Sequence, residues 1–101
     1  MMEKYALRNN VSRSRYEFDL GGRTACIDYV LDGDRIALTH TFVPSGYEGC
    51  GIGRQLVAAV LADLRRKGLK VVPLCSFVAV YIERHPIWRD MVCRDGAAVG
   101  R

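Results

Sequence analysis

Nothing in this chain approaches the roughly 18 consecutive apolar residues of a membrane-spanning helix, and the opening MMEKYALRNN lacks the apolar segment of a secretion signal. A cytoplasmic protein with no membrane partner is expected. CxxC pairs are absent too. The four cysteines, at 26, 50, 75 and 93, are too scattered for a zinc site or a dithiol redox motif, so no metal is expected. Their even number would allow two disulfides, but a chain without a secretion signal keeps its thiols reduced. No run of five like charges occurs, and the basic residues behind the net charge of +4 are scattered along the sequence. With no zinc-finger or RNA-binding signature either, no specific nucleic-acid partner is expected. Repeats, linkers and low-complexity segments are missing. What remains reads as one domain over 1–101, with a core over about 16–92 and a frayed tail over 95–101.

What is present is a change of period. Tyr16, Phe18 and Leu20 alternate with Glu17 and Asp19, the pattern of a half-buried strand. Gly21-Gly22 marks a turn, and TACIDYVL over 24–31 is rich in strand formers. Asp32-Gly33-Asp34 predicts a tight hairpin of type I′. The third strand, 35–43, places Ile36, Leu38, His40 and Phe42 on one face. From about 52 to 67 the period is helical: Val57, Val60, Leu61 and Leu64 form the stripe, Leu56 widens it, and Gln55, Asp63 and Arg66 turn away. Gly68 stops this helix behind the basic Arg65-Arg66-Lys67. A short buried strand follows over 70–74, then a second helix over 77–84, capped by Ser76 and ended near His85 by Pro86. A last short element is expected over 88–92. The order is β-β-β-α-β-α, an α+β fold. Its sheet is mixed but mainly antiparallel, with flanking helices, because the strand over 70–74 returns through a helical crossover.

The segment VPSGYEGCGIGRQL packs glycines at 46, 49, 51 and 53 against the start of the first helix. A Walker A loop would need lysine and a hydroxyl after the glycines, and neither follows. The dinucleotide pattern GxGxxG, counted from Gly49, needs glycine where Arg54 stands. Both are excluded. A strand, a GxGxG loop and a helix remain, in which first-turn amides without partners could meet a pyrophosphate on exposed backbone. Arg54 could add a charge-assisted contact. The alternative is a plain strand-to-helix connection that binds nothing.

HTFVPSGYEGCGIGRQLV, followed by KVVPLCSFVAVYIERHP, resembles the small single-domain GNAT group of acetyl-CoA-dependent N-acetyltransferases, over about residues 18–88. The resemblance implies a splayed mixed sheet with acetyl-CoA wedged into its gap. It implies pyrophosphate contacts along Gly49, Cys50, Gly51, Ile52, Gly53 and Arg54, with pantetheine beside Phe42 and Val43. The family motif R/Q-x-x-G-x-G/A maps its last two positions onto Gly51 and Gly53. Its first position is Glu48 here, a carboxylate that cannot donate to phosphate. The paired N-terminal helices that cover the acceptor groove of larger relatives are missing, which implies an acceptor site open to amines, including one carried on a protein.

By the same resemblance Cys75, in the P-x-C-S segment, is a catalytic residue, the alternative being a buried core cysteine. Its place at a helix start would stabilise a thiolate. It could take the acetyl group as a nucleophile, or protonate the departing CoA thiolate while the amine attacks directly. His40 is the candidate general base, the alternative being a hydrogen-bonded core histidine. Cys26, Cys50 and Cys93 read as structural, with Cys50 exposed in its loop. Tyr47 and Tyr81 read as packing residues that could also line the pantetheine channel. The expected activity is acetyl transfer from acetyl-CoA to a primary amine. A domain of the same fold that binds acyl-CoA or a protein without turnover is the alternative.

Overall fold

The computed structural model describes residues 5–47 and 49–93, so the tail expected to fray over 95–101 lies outside them. Among the described residues the chain forms β1 (Leu7–Asn10), β2 (Arg15–Asp19), β3 (Thr24–Asp32), β4 (Arg35–Phe42), α1 (Ile52–Lys67), β5 (Lys70–Pro73) and α2 (Ser76–Arg84). Single 3-10 segments occupy Val11–Arg13 and Pro86–Met91. The strands lie in sequence order, antiparallel from β1 to β4 and parallel between β4 and β5, across the α1 crossover. This is the mixed, mainly antiparallel α+β sheet expected, with one strand more. β1 reads LRNN and has one apolar residue, so no alternation announces it. Polar contacts hold it instead: Arg8 and Asn10 donate to the two carboxylate oxygens of Glu17 at 2.8 and 3.0 Å.

Both helices pack on one face of the sheet. Leu56, Val57, Val60, Leu61 and Leu64 of α1 and Val78 of α2 are fully buried, in one cluster with Ile27, Ile36, Leu38 and Val71. Each such side chain contributes roughly 1.5–3 kcal/mol through removal from water. Asp63, expected to face solvent, instead accepts a hydrogen bond from the buried Tyr16 hydroxyl at 2.6 Å and an ion pair from Lys67 at 2.8 Å. This polar pin ties α1 to β2. It explains why a carboxylate sits beside the apolar stripe.

Three local expectations are revised. Asp32 pairs with Arg35, so Gly33 and Asp34 are the central residues of the hairpin, and of these Gly33 alone has a positive φ, 64°. A type I′ turn needs positive φ at both, so the turn has instead the glycine-first pattern of type II′. Cys75, not Ser76, stands at the N-cap of α2, because the last hydrogen bond to β4 is made by Cys75 itself. Finally, the register slips between Asp28↔His40 and Tyr29↔Leu38, leaving Thr39 as an extra residue in β4. That bulge reverses the faces beyond it. Ile36 and Leu38 face the helices, while His40 and Phe42 are exposed and face the other side, and Thr41 takes the inward place.

Candidate active site

β4 and β5 stay paired only from Arg35↔Lys70 to Leu38↔Pro73. The Cys75 amide then donates to the Leu38 carbonyl at 2.9 Å, and the chain turns into α2. β4 runs on to Phe42 without a neighbour on that side, so a wedge opens between the two strands. On the helix side the wedge widens into a cleft of about 400 Å³. Val43, Gly49, Gly51, Ile52, Gly53 and Arg54 line it, together with Thr41, Tyr47 and Phe77. Six of the residues expected to meet a cofactor are thus brought together. Phe42 points to the opposite face and does not line the cleft. Cys50 is exposed beside it, and its amide is taken by the Tyr47 carbonyl at 3.3 Å. Glu48 lies outside the described residues.

The loop leaves backbone amides exposed at the start of α1. Gly51 is the N-cap of α1, with φ 78° and ψ 10°, a left-handed conformation open to glycine and strained for other residues. The first helical bond runs from the Gln55 amide to the Gly51 carbonyl at 3.1 Å. The amides of Ile52, Gly53 and Arg54 precede it and have no acceptor within the helix. They stand at the positive end of a sixteen-residue helix with no acidic side chain in its first turn. Gly53 serves another purpose: a Cβ there would lie 2.9 Å from the Phe77 ring, so its absence lets α2 close against α1. The Tyr47 hydroxyl anchors the loop to the β2–β3 turn through the Leu20 carbonyl at 3.2 Å.

At the inner end of the cleft Thr41 Oγ1 lies 3.4 Å from Cys75 Sγ. Cys75 has an extended backbone, φ −78° and ψ 127°, and its side chain makes no capping hydrogen bond, so the first-turn amides of α2 act on it as dipoles. Burial pushes the thiol pKa up, but the Thr41 hydroxyl and the amides of Val78 and Phe77 outweigh it and hold the pKa below its ordinary value. Cys26, in contrast, is buried and pushed up by burial, and Cys93 is buried. His40 sits next to Thr41 in the strand but on the other face, opposite Asp28, whose carboxylate is held by Arg15 at 3.1 Å. His40 and Cys75 therefore flank the strand gap from opposite faces and do not meet. Thr41 and Phe77 were not singled out by the sequence. A bulge leaves no mark in the alternation of Thr39, His40 and Thr41, and Phe77 reads as one more apolar helical residue.

Among the described residues no group of three or more histidine, cysteine or carboxylate side chains is placed to hold a metal ion, and no helix is long and apolar enough to cross a membrane. The β4–β5 pair is thus splayed, with a glycine-lined helix start at the mouth of the gap and a thiol at its apex. The family model for the GCN5-related N-acetyl-transferase matches residues 15–91, and the chain belongs to that family. It is 34% identical over 64 residues to Protein NATD1 of Gallus gallus and of Mus musculus, a match covering 62% of this chain. The chain spans 58% of the length of those relatives. The solution NMR structure of a GCN5-like protein from Staphylococcus aureus superposes with a TM-score of 0.68 at 25% identity, covering 91% of each chain.

Proposed function

We propose that this protein is a cytoplasmic enzyme that transfers an acetyl group from acetyl-CoA to a primary amine. The observation that carries the reading is the continuity of the cleft: amides of residues 52–54 without an acceptor among the described residues and the Arg54 guanidinium at its mouth, and the Thr41–Cys75 pair at its end. The mouth suits a pyrophosphate, and the apolar walls of Val43, Ile52 and Phe77 suit the pantetheine arm. Such a ligand would bring its thioester to the strand gap.

The amine then approaches from the open face, where no helix of the described residues packs. His40, exposed on that face, takes the proton of the attacking ammonium. The amine nitrogen forms a bond to the thioester carbon while a backbone amide at the open edge of β4 holds the carbonyl oxygen as charge develops. The carbon–sulfur bond breaks, the leaving thiolate takes the proton of the Cys75 thiol, and the new amide nitrogen sheds its second proton to solvent, from which Cys75 is reprotonated. A thiol made more acidic by Thr41 and the first-turn amides suits that donation. The test is release of free CoA in the presence of acetyl-CoA and a panel of amines, including lysine-containing peptides. Saturable, amine-dependent release that falls sharply in Cys75→Ala and in His40→Gln is expected. Tight binding of CoA with no turnover on any amine would instead make this a binding module.

A further inference from the structure

Phe42 belongs neither to the core nor to the cleft. The bulge at Thr39 turns it to the open face of the sheet, where it is 48% exposed and lies outside the buried cluster. Its neighbour on that face is His40, also exposed. On the opposite bank of the gap, where β5 has ended, Leu74 is 55% exposed and does not line the cleft either. A ligand covering these two side chains would gain the free energy of removing them from water. We infer that the acceptor is an unbranched alkyl primary amine with no charged group beside its nitrogen, the nitrogen at His40 and the stem across Phe42. This deepens the acetyl-transfer reading above and rests on it.

Strand geometry sets the length of the stem. His40 and Phe42 are two residues apart on one strand and one face, so their side chains leave the backbone roughly 7 Å apart. A stem of about four or five carbons spans that distance, the length of a lysine side chain. The aromatic face of Phe42 also attracts an ammonium. Charge sets the chemistry beside the nitrogen. Asp28, the cross-strand partner of His40, brings a carboxylate to this face, and Arg15 holds its Oδ1 at 3.1 Å. In the next row Cys26 separates Phe42 from Glu17, which Arg8 holds at 2.8 Å. The guanidinium groups of both rows are therefore taken. A carboxylate beside the amine, as in a free amino acid, would face Asp28 with neither guanidinium free to receive it.

The experiment measures kcat/KM for CoA release from acetyl-CoA with methylamine, propylamine, pentylamine and norleucine, on the wild type, Phe42→Ala and Phe42→Leu. From methylamine to pentylamine the wild type is expected to gain about two- to fourfold per methylene, the worth of carbon removed from water. Phe42→Ala should flatten the series and Phe42→Leu keep most of it, with scanning fluorimetry confirming that both variants are folded. Norleucine is pentylamine with a carboxylate on the amine-bearing carbon, and should be poorer by about tenfold or more. Nα-acetyl-lysine N-methylamide separates the two sources of such a stem: turnover above that of pentylamine supports a stem carried on a peptide, and turnover below it supports a free alkylamine. A flat series in the wild type, an equal loss with every amine in Phe42→Ala, or norleucine as good as pentylamine would overturn the inference and leave acetyl transfer intact. No release with any amine would overturn both.

Discussion

Replacing the two glycines nearest the proposed pyrophosphate should produce opposite kinds of damage. Gly51 holds the N-cap of α1 at φ 78°, and an alanine forced into the left-handed region costs about 1–2 kcal/mol. Its Cβ would stand 3.2 Å from Arg54 Nη2, the free end of a flexible side chain, so contact adds little to that cost. In a domain of this size each kcal/mol lowers Tm by roughly 4–8 °C. Gly53 is helical and carries no such strain. Alanine there gains up to about 1 kcal/mol of helix propensity, but its Cβ meets Phe77 Cζ at 2.9 Å. Phe77 is 41% exposed, so the ring can swing aside without unfolding anything, at the expense of the cleft it lines. Gly51→Ala should therefore lower Tm by several degrees. Gly53→Ala should leave Tm nearly unchanged and weaken acetyl-CoA binding. Differential scanning fluorimetry and calorimetry read the two effects separately. An unaltered Tm in Gly51→Ala, or full affinity in Gly53→Ala, would refute this account of the loop.

Other consequences follow from the same contacts. Thr41→Val removes the hydroxyl beside Cys75, so the thiol pKa should rise and alkylation by iodoacetamide at neutral pH should slow, measured in a Cys50→Ser background to silence the exposed thiol; an unshifted rate–pH curve would exclude Thr41 from tuning the thiol. Burial and the Asp63 hydrogen bond push the Tyr16 pKa up to about 12 from its ordinary value near 10. Because the folded value is the higher, the stabilisation is complete below pH 10 and is lost at about 1.4 kcal/mol per unit between about pH 10 and 12. Denaturant titrations should thus show the stability advantage over Tyr16→Phe shrinking across that window, and a constant gap would contradict the pin. Acetyl-CoA at about 100 times its Kd should add roughly 2.7 kcal/mol, and neither ATP nor NAD should match it.

The first helix and the loop before it could be read from residues alone, because five apolar side chains at helical spacing and four clustered glycines leave few other solutions. Strand β1 could not. Its LRNN is held by Glu17, a partner whose contact no periodicity encodes. The bulge at Thr39 was equally silent, since an alternating strand looks the same with or without one extra residue, yet it decides which of His40 and Thr41 faces the thiol. The site was thus readable where backbone chemistry makes it, and hidden where register makes it.

The central claim is that the start of α1 and the strand gap together hold the phosphate and thioester ends of one ligand. Backbone amide NMR during a titration with acetyl-CoA tests it most directly. The account predicts the largest saturable shifts at Ile52, Gly53 and Arg54, with further shifts at Thr41, Cys75 and Phe77 and little change along β1. Saturation with those six amides unmoved would contradict it.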